Sequence, residues 1–361
     1  MIIKELNLFS SIIKCSKRAP NKLSIKDIFN YSKKVKETQD FFPVSNFMKN
    51  ELETRLAKRI IELEKLPSKM QEIQNISRIK NLYTESFYNI YNFNMKQSNS
   101  LQSIPQFHNL LLKISSSHKN IPEIMSYSLY EYKKNNKKDF QQNQKKIDEI
   151  LNFFYLSRIG IRTLIHSYDN MVSNENLEDY FTTETDLVCK ESSETVQHLM
   201  RMKYGISPEI KINISNNPTF FYPNNHVKYI IQELLKNACF YTYKKYGEDS
   251  DEHPVLLNAW ETKKDIVFRV KDYGPSFSKD NLKNIFSYLY TTENLEESFE
   301  NMNSNEKIVI NGLGHGVPLT NVYVSYYGGH LAIVPIEGYS TSCYVYLNKF
   351  GHAGENLILD N

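Results

Sequence analysis

Apolar residues recur at intervals of three and four through most of the first half of the chain. The spacing predicts helices over residues 25–35, 47–66, 73–93, 101–114 and 147–167, with a further run at 124–132. Breaks fall at Pro43, Pro67 and the Asn/Ser-rich stretch 94–100, and strand signals are scarce. Residues 24–168 therefore read as an antiparallel helical bundle with short connections. The Lys-rich stretch 133–146 reads as a solvated face or loop between two helices, and the polar stretch 170–185 as a linker.

Beyond that linker the period changes. Residues 191–204 are helical, 210–214 alternate as a strand, 220–222 form a short apolar strand, and 227–246 form a long central helix. Residues 255–260 and 266–270 pair as a hairpin across a charged turn. A helix at 282–290, another at 317–327 and closing strands at 331–335 and 343–347 complete the chain. Helices and antiparallel strands in separate blocks predict an α+β sandwich with helices on one sheet face.

At 361 residues the chain has room for two domains. Its 44 Lys+Arg and 41 Asp+Glu leave a net charge of +3, so no strong field points to nucleic acid or an anionic membrane. No apolar run is long enough to span a bilayer. The cysteines (Cys15, Cys189, Cys239, Cys343) show neither CxxC nor metal-ligand spacing and read as reduced thiols in an intracellular protein. Residues 1–22 are amphipathic and basic, with one acid, Glu5; they fit an organelle transit segment or an ordinary first helix.

The candidate chemistry centres on Glu233-Leu-Leu-Lys-Asn237. Glu233 and Asn237 lie four residues apart and share a helix face, with Ile230, Ile231, Leu234, Leu235 and Ala238 behind them. A carboxylate and a carboxamide so placed suit orienting a nucleophile and holding a divalent cation; a surface polar pair is the plainer reading. Gly312-Leu-Gly314-His-Gly316 precedes a helix pattern, where free backbone N–H groups attract phosphates. Its spacing is neither the Walker nor the dinucleotide fingerprint, and a turn without a ligand is the alternative. The long stretch 293–311 before it has the length of a lid. Asp272, with Gly274 beside it, ends a strand where its carboxylate could accept from an exocyclic amine, or simply close a turn. In the helical half, His118 is a site candidate or a capping residue, and Arg158 and Arg162 could clamp a phosphate or pair within the bundle.

Glu233-Leu-Leu-Lys-Asn237-Ala, Asp272-x-Gly274, Gly312-x-Gly314-x-Gly316 and Thr341 stand in the order of the N, G1, G2 and terminal boxes of the Bergerat-fold ATPases. With His118-Lys-Asn, Glu131 and Ser157-Arg-Ile-Gly-Ile-Arg162, the chain resembles the mitochondrial 2-oxo acid dehydrogenase kinases of pyruvate and branched-chain type. The resemblance implies a helical docking domain at 23–175, a Bergerat-type ATP-binding domain at 176–350 and a tail at 351–361. It implies a protein serine kinase that phosphorylates E1α of the dehydrogenase complex and inactivates it. ATP and Mg²⁺, a lipoyl-bearing E2 core, a homodimer and the mitochondrial matrix are implied with it. Glu233 would be the general base and Asn237 the Mg²⁺ ligand, while Asp272, Gly274 and Thr341 would receive adenine. Lys236, Gly312, Leu313, Gly314, His315, Gly316 and Val317 would line the phosphates, and Thr291 and Thr292 would meet the nucleotide at the lid. His118, Arg158 and Arg162 would lie on the substrate side.

The family's G1 box usually reads Asp-Arg-Gly-Gly-Gly, whereas this chain has Asp272-Tyr-Gly274-Pro275-Ser276. Phe240 stands where arginine is common, and Ser340 replaces the glycine before Thr341. Tyr229, one turn before Glu233, leans the resemblance toward the branched-chain type; the Asp-Trp end motif of the pyruvate type is absent. The altered G1 box leaves open a degenerate ATP-binding scaffold that docks on the complex without phosphotransfer.

Overall fold

The computed structural model describes residues 2–95, 100–291 and 314–357, with side chains from residue 7 and, after the first gap, from residue 102. Two compact units divide them, one ending at Leu177 and the other running Glu178–Asn356.

The first unit is helical throughout. Its elements are α1 (Ile2–Ser16), α2 (Ile25–Thr38), α3 (Phe42–Leu63), the single turn α4 (Ser68–Gln71), α5 (Gln74–Tyr91), α6 (Ser100–Ser117), α7 (Ile121–Asn135) and α8 (Lys137–Val172). Helix α1 packs on α3 and buries Ile12 and Cys15. Helix α2 starts with a capping box in which Ser24 and Asp27 satisfy each other's backbone N–H groups. Pro43 opens α3 instead of interrupting it, because a first-turn residue needs no amide hydrogen. The Lys-rich stretch is helical on both sides of Asn136, so α8 begins ten residues before its apolar period does. The core is aromatic: Tyr83 meets Phe154 edge-on at 5.6 Å, Phe107 meets Tyr168 at 5.9 Å, and the Tyr168 hydroxyl pairs with Ser45 Oγ at 2.6 Å.

The second unit is a five-stranded sheet with helices against it. Short helix α9 (Leu177–Phe181) and strand β1 (Thr182–Glu184) occupy the stretch expected to be a linker. Three residues carry too little pattern to announce a strand, and β1 is held by antiparallel pairing with β3 (Thr219–Phe221). Next come α10 (Thr185–Tyr204), β2 (Ile210–Ile214), α11 (Asn224–Tyr246), β4 (Val255–Glu261) and β5 (Asp265–Asp272). Helix α12 (Gly316–Ser325), β6 (His330–Ile336) and β7 (Ser340–Asn348) close the unit. Sheet order is β2-β4-β5-β7-β6. The β4–β5, β5–β7 and β6–β7 pairs are antiparallel as expected, but β2 runs parallel to β4. The correction follows from connection length, since the whole of α11 separates β2 from β4 and permits a crossover. Residues 279–286 form a 3-10 helix and not the α-helix expected at 282–290.

Helix α11 lies over β4 and β5 and buries Ile231, Leu234, Leu235, Ala238 and Cys239. None of the four cysteines is in a disulfide. The end of the unit folds back on α12: Glu355, itself buried, accepts from the Tyr326 hydroxyl, and the Asn356 N–H donates to the Tyr326 carbonyl at 2.7 Å. No described helix is long and apolar enough to cross a membrane.

Candidate active site

Helix α11 carries Glu233, Asn237, Tyr241 and Lys245 at four-residue steps, a stripe that winds slowly round the helix. From first to last the rise is about 18 Å. The glycine motifs meet this stripe at both ends.

At the first end, Glu233 Oε1 accepts from Lys236 Nζ at 2.5 Å, both side chains being mostly buried. Gly316, the first residue of α12, is pressed against the same carboxylate: a Cβ placed there would lie 2.7 Å from Glu233 Oε2. The fold thus seats Glu233 at the N-terminus of α12, where backbone N–H groups point outward and anions are favoured. Gly314 has φ +62°, a conformation open to glycine. A Cβ there would lie 2.6 Å from Leu289 Cα, and the Leu289 N–H donates to the Gly314 carbonyl at 2.9 Å. The segment before Thr291 is therefore laid directly on the glycine turn, with Leu289 itself at φ +60°. His315 is buried against the Tyr288 ring, centroids 5.1 Å apart, and Val317 is half-buried in the first turn of α12. Thr292, Gly312, Leu313 and the expected lid at 293–311 lie outside the described residues.

At the other end, Asp272 closes β5 opposite Thr341 of β7. Both are buried, and Asp272 Oδ1 accepts from the Gly274 N–H at 2.9 Å. Burial raises the Asp272 pKa to about 7, against the backbone donors of Gly274 and Thr341 and the charge of Lys245, which hold it down. A Cβ on Gly274 would stand 2.9 Å from the Cβ of Tyr241, so glycine is what allows this loop to reach α11. Lys245 Nζ then fastens it, donating to the carbonyls of Tyr273 at 3.0 Å, Gly274 at 3.4 Å and Gly338 at 3.1 Å. The Gly338 N–H donates to the Pro275 carbonyl at 2.9 Å. Ser276 stands at φ +55°, and its hydroxyl accepts from Thr341 Oγ1 at 3.0 Å. Lys245 carries no motif signal; its one trace in sequence is the spacing of two turns beyond Asn237.

Between the two ends, Asn237 offers a half-buried carboxamide one turn from Glu233. Among the described residues no three His, Cys, Asp or Glu side chains gather into a metal cage. A single carboxamide oxygen fits a hard cation that keeps its waters and binds mainly through phosphate oxygens, which is the habit of Mg²⁺.

The remaining candidates belong to the helical unit. His118 is 3 % exposed, its ring tilted against Tyr83 at 4.6 Å, with Nε2 paired to Ser86 Oγ at 2.9 Å. Burial lowers its pKa to about 4 against the hydrogen bond to the Leu82 backbone, and the charges of Arg158 and Arg162 push the same way as burial. It is buried, follows the last residue of α6 with its N–H on the Ile114 carbonyl at 3.1 Å, and leaves the start of α7 to Asn120. Arg158 is buried and donates through Nη2 to the carbonyls of His118 at 2.9 Å and Lys119 at 3.1 Å, so it satisfies the end of α6 from within the bundle. Arg162 is half-buried one turn further along α8.

Residues 22–196 match the family described as mitochondrial branched-chain alpha-ketoacid dehydrogenase kinase, and residues 223–350 match the histidine kinase-, DNA gyrase B- and HSP90-like ATPases. The mitochondrial pyruvate dehydrogenase (acetyl-transferring) kinase of Arabidopsis thaliana is 30% identical over 328 residues, 87% of this chain and 86% of its own. The Schizosaccharomyces pombe enzyme of the same name is 25% identical, covering 93% of this chain and 95% of its own. Human isozyme 4 is 25% identical, covering 92% of this chain and 82% of its own. With a kinase-type helical segment and an ATPase segment in that order, and 30% identity over most of its length, the chain belongs to the mitochondrial 2-oxo acid dehydrogenase kinases, a family of ATP-dependent protein kinases.

Proposed function

We propose that this chain transfers the γ-phosphoryl group of ATP to a serine of the E1α subunit of a 2-oxo acid dehydrogenase and so switches that complex off. The observation that carries the reading is the seat of the Glu233 carboxylate against Gly316 at the N-terminus of α12, one turn from Asn237. Glu233 takes the serine proton as the hydroxyl attacks, exchanging its bond to Lys236 for one to substrate. Lys236, released, is placed to meet the phosphates. Gly314 and Gly316 let the backbone approach them, and Asp272 and Thr341 fix the base at the far end. Asn237 holds Mg²⁺, which neutralises phosphate charge when bound. Much of the rate comes from this positioning.

The pyruvate-type E1 is the preferred substrate, because the full-length relatives are named for that activity. Tyr229, whose ring lies tilted against Tyr323 at 4.5 Å, and the branched-chain description of residues 22–196 favour the other type. The helical unit docks on the lipoyl-bearing E2 core, the kinase works as a homodimer, and the location is the mitochondrial matrix.

The test is transfer of labelled γ-phosphate to purified pyruvate-type and branched-chain E1 by wild type and Glu233→Gln. Labelling of one E1 that collapses in the variant, with Mg²⁺-ATP binding retained, supports the base and names the substrate. Tight ATP binding without labelling of either E1 would leave a docking scaffold.

A further inference from the structure

Ser276 occupies a conformation that glycine adopts freely and a Cβ disfavours, φ +55°. The loop around it is held from three sides. Lys245 binds the carbonyls of Tyr273 and Gly274, Pro275 is tied to Gly338, and Gly274 is packed on α11. Such a strained serine needs a reason, and its hydroxyl supplies one by accepting the proton of Thr341 Oγ1 at 3.0 Å. A hydroxyl has one hydrogen to give. With that hydrogen committed to Ser276, Thr341 turns only lone pairs toward a ligand. Asp272, its partner across the strands, likewise presents carboxylate oxygens once ionised. Both are more than nine-tenths buried, so water competes poorly for either.

We infer that Ser276 is a positioning residue which fixes Thr341 as an acceptor, so that this end of the site selects a purine with an exocyclic amine over one with a carbonyl at that position. The inference rests on the nucleotide-binding reading and sharpens it. An amine donates to both acceptors. A 6-oxo base would set its own lone pairs against those of Thr341 and Asp272.

The experiment measures equilibrium binding of Mg²⁺-ATP and Mg²⁺-ITP to the full chain at pH 8.5, where Asp272 is ionised, with thermal unfolding beside it. Wild type, Ser276→Ala, Ser276→Gly and Thr341→Val are compared. In Ser276→Ala the Thr341 hydrogen is free to turn to the ligand, and the ATP-over-ITP preference is expected to narrow about fivefold or more. Ser276→Gly should narrow it equally while raising the melting temperature, because the strain is relieved. Ser276→Ala keeps the strain and should not be more stable than wild type. Thr341→Val should narrow the preference without a further change on adding Ser276→Ala. One specificity effect from two variants of different stability separates positioning from folding. Wild-type preference retained in both Ser276 variants would overturn the inference alone. Wild type that binds neither nucleotide would overturn it together with the functional reading.

Discussion

Replacing Gly316 by alanine sets a methyl group 2.7 Å from Glu233 Oε2. Ordinary contact begins near 3.4 Å, so the carboxylate must retreat by about 0.7 Å. It can do so, being the end of a flexible side chain, and the fold itself loses little. Alanine in a first helical turn gains up to about 1 kcal/mol of propensity over glycine. Catalysis is another matter, because a displacement of about 1 Å in a positioned group can lower a rate about 10²-fold. The expected result is a kcat lowered about 10- to 100-fold, or about 1.4–2.7 kcal/mol of transition-state stabilisation. The melting temperature should stay near wild type, and kcat is read at saturating ATP, because a methyl at the phosphate-facing turn also weakens nucleotide binding. Gly314→Ala is the control. There φ is +62° and the methyl would strike the Leu289 backbone, which has no room to yield. A left-handed residue with a Cβ costs about 1–2 kcal/mol before that clash is counted, so this variant should lose stability first and activity as a consequence. Phosphate transfer to E1 and urea unfolding, run on both, give the answer. A Gly316→Ala enzyme with wild-type kcat would refute the placement of Glu233 as base, and one as unstable as Gly314→Ala would refute the distinction drawn between the two glycines.

Other outcomes follow from the same geometry. Asp272 has a folded pKa raised from 3.8 to about 7, so the fold favours its protonated form; that stability is present below pH 4 and is lost as pH rises through 7. Asp272→Asn should remove this loss in urea titrations at pH 5 and 8, and should also abolish ATP binding. His118 is depressed from 6.5 to about 4, so its contribution is present above pH 6.5 and is lost as pH falls toward 4, by about 3 kcal/mol at most. His118→Gln, which keeps a partner for Ser86, should flatten that acid limb, whereas an unchanged limb would move the titration to another group. Lys245→Met should raise the dissociation constant for ATP several-fold and spare kcat at saturating nucleotide, because it loosens only the base-side loop.

How far the sequence carried depended on what each residue touches. The bundle was legible because a packed helix must repeat its apolar face, and α2, α5 and α6 lie where the period puts them. The first turns of α8 were not, since Lys137–Lys146 is almost wholly polar; they are anchored by the single buried Phe140, edge-on to Tyr132, and by continuity with the buried Ile147, Ile150 and Leu151. The parallel β2–β4 pair and the three-residue β1 are long-range facts with no local pattern. In the site, Glu233, Asn237 and Asp272 could be picked out because their chemistry is in their side chains, and the glycines because the lack of one marks a backbone that turns or comes close. Ser276 could be flagged as a departure, but not its torsion or its bond to Thr341. Lys245 escaped notice because a lysine in the last turn of a helix is ordinary, and its three partners are carbonyls that any residue would supply.

That anonymity has an evolutionary consequence. A clamp that grips main-chain oxygens is indifferent to which side chains the gripped residues carry. Lys245 holds the loop at Tyr273 and Gly274, and the Gly338 N–H holds Pro275 through its carbonyl. Proline and serine can therefore stand at positions 275 and 276, where glycines are usual, with the loop still held along its path. In chains of this lineage, an intact lysine two turns beyond the asparagine should then be a better guide to a working base-side loop than the glycine count within it.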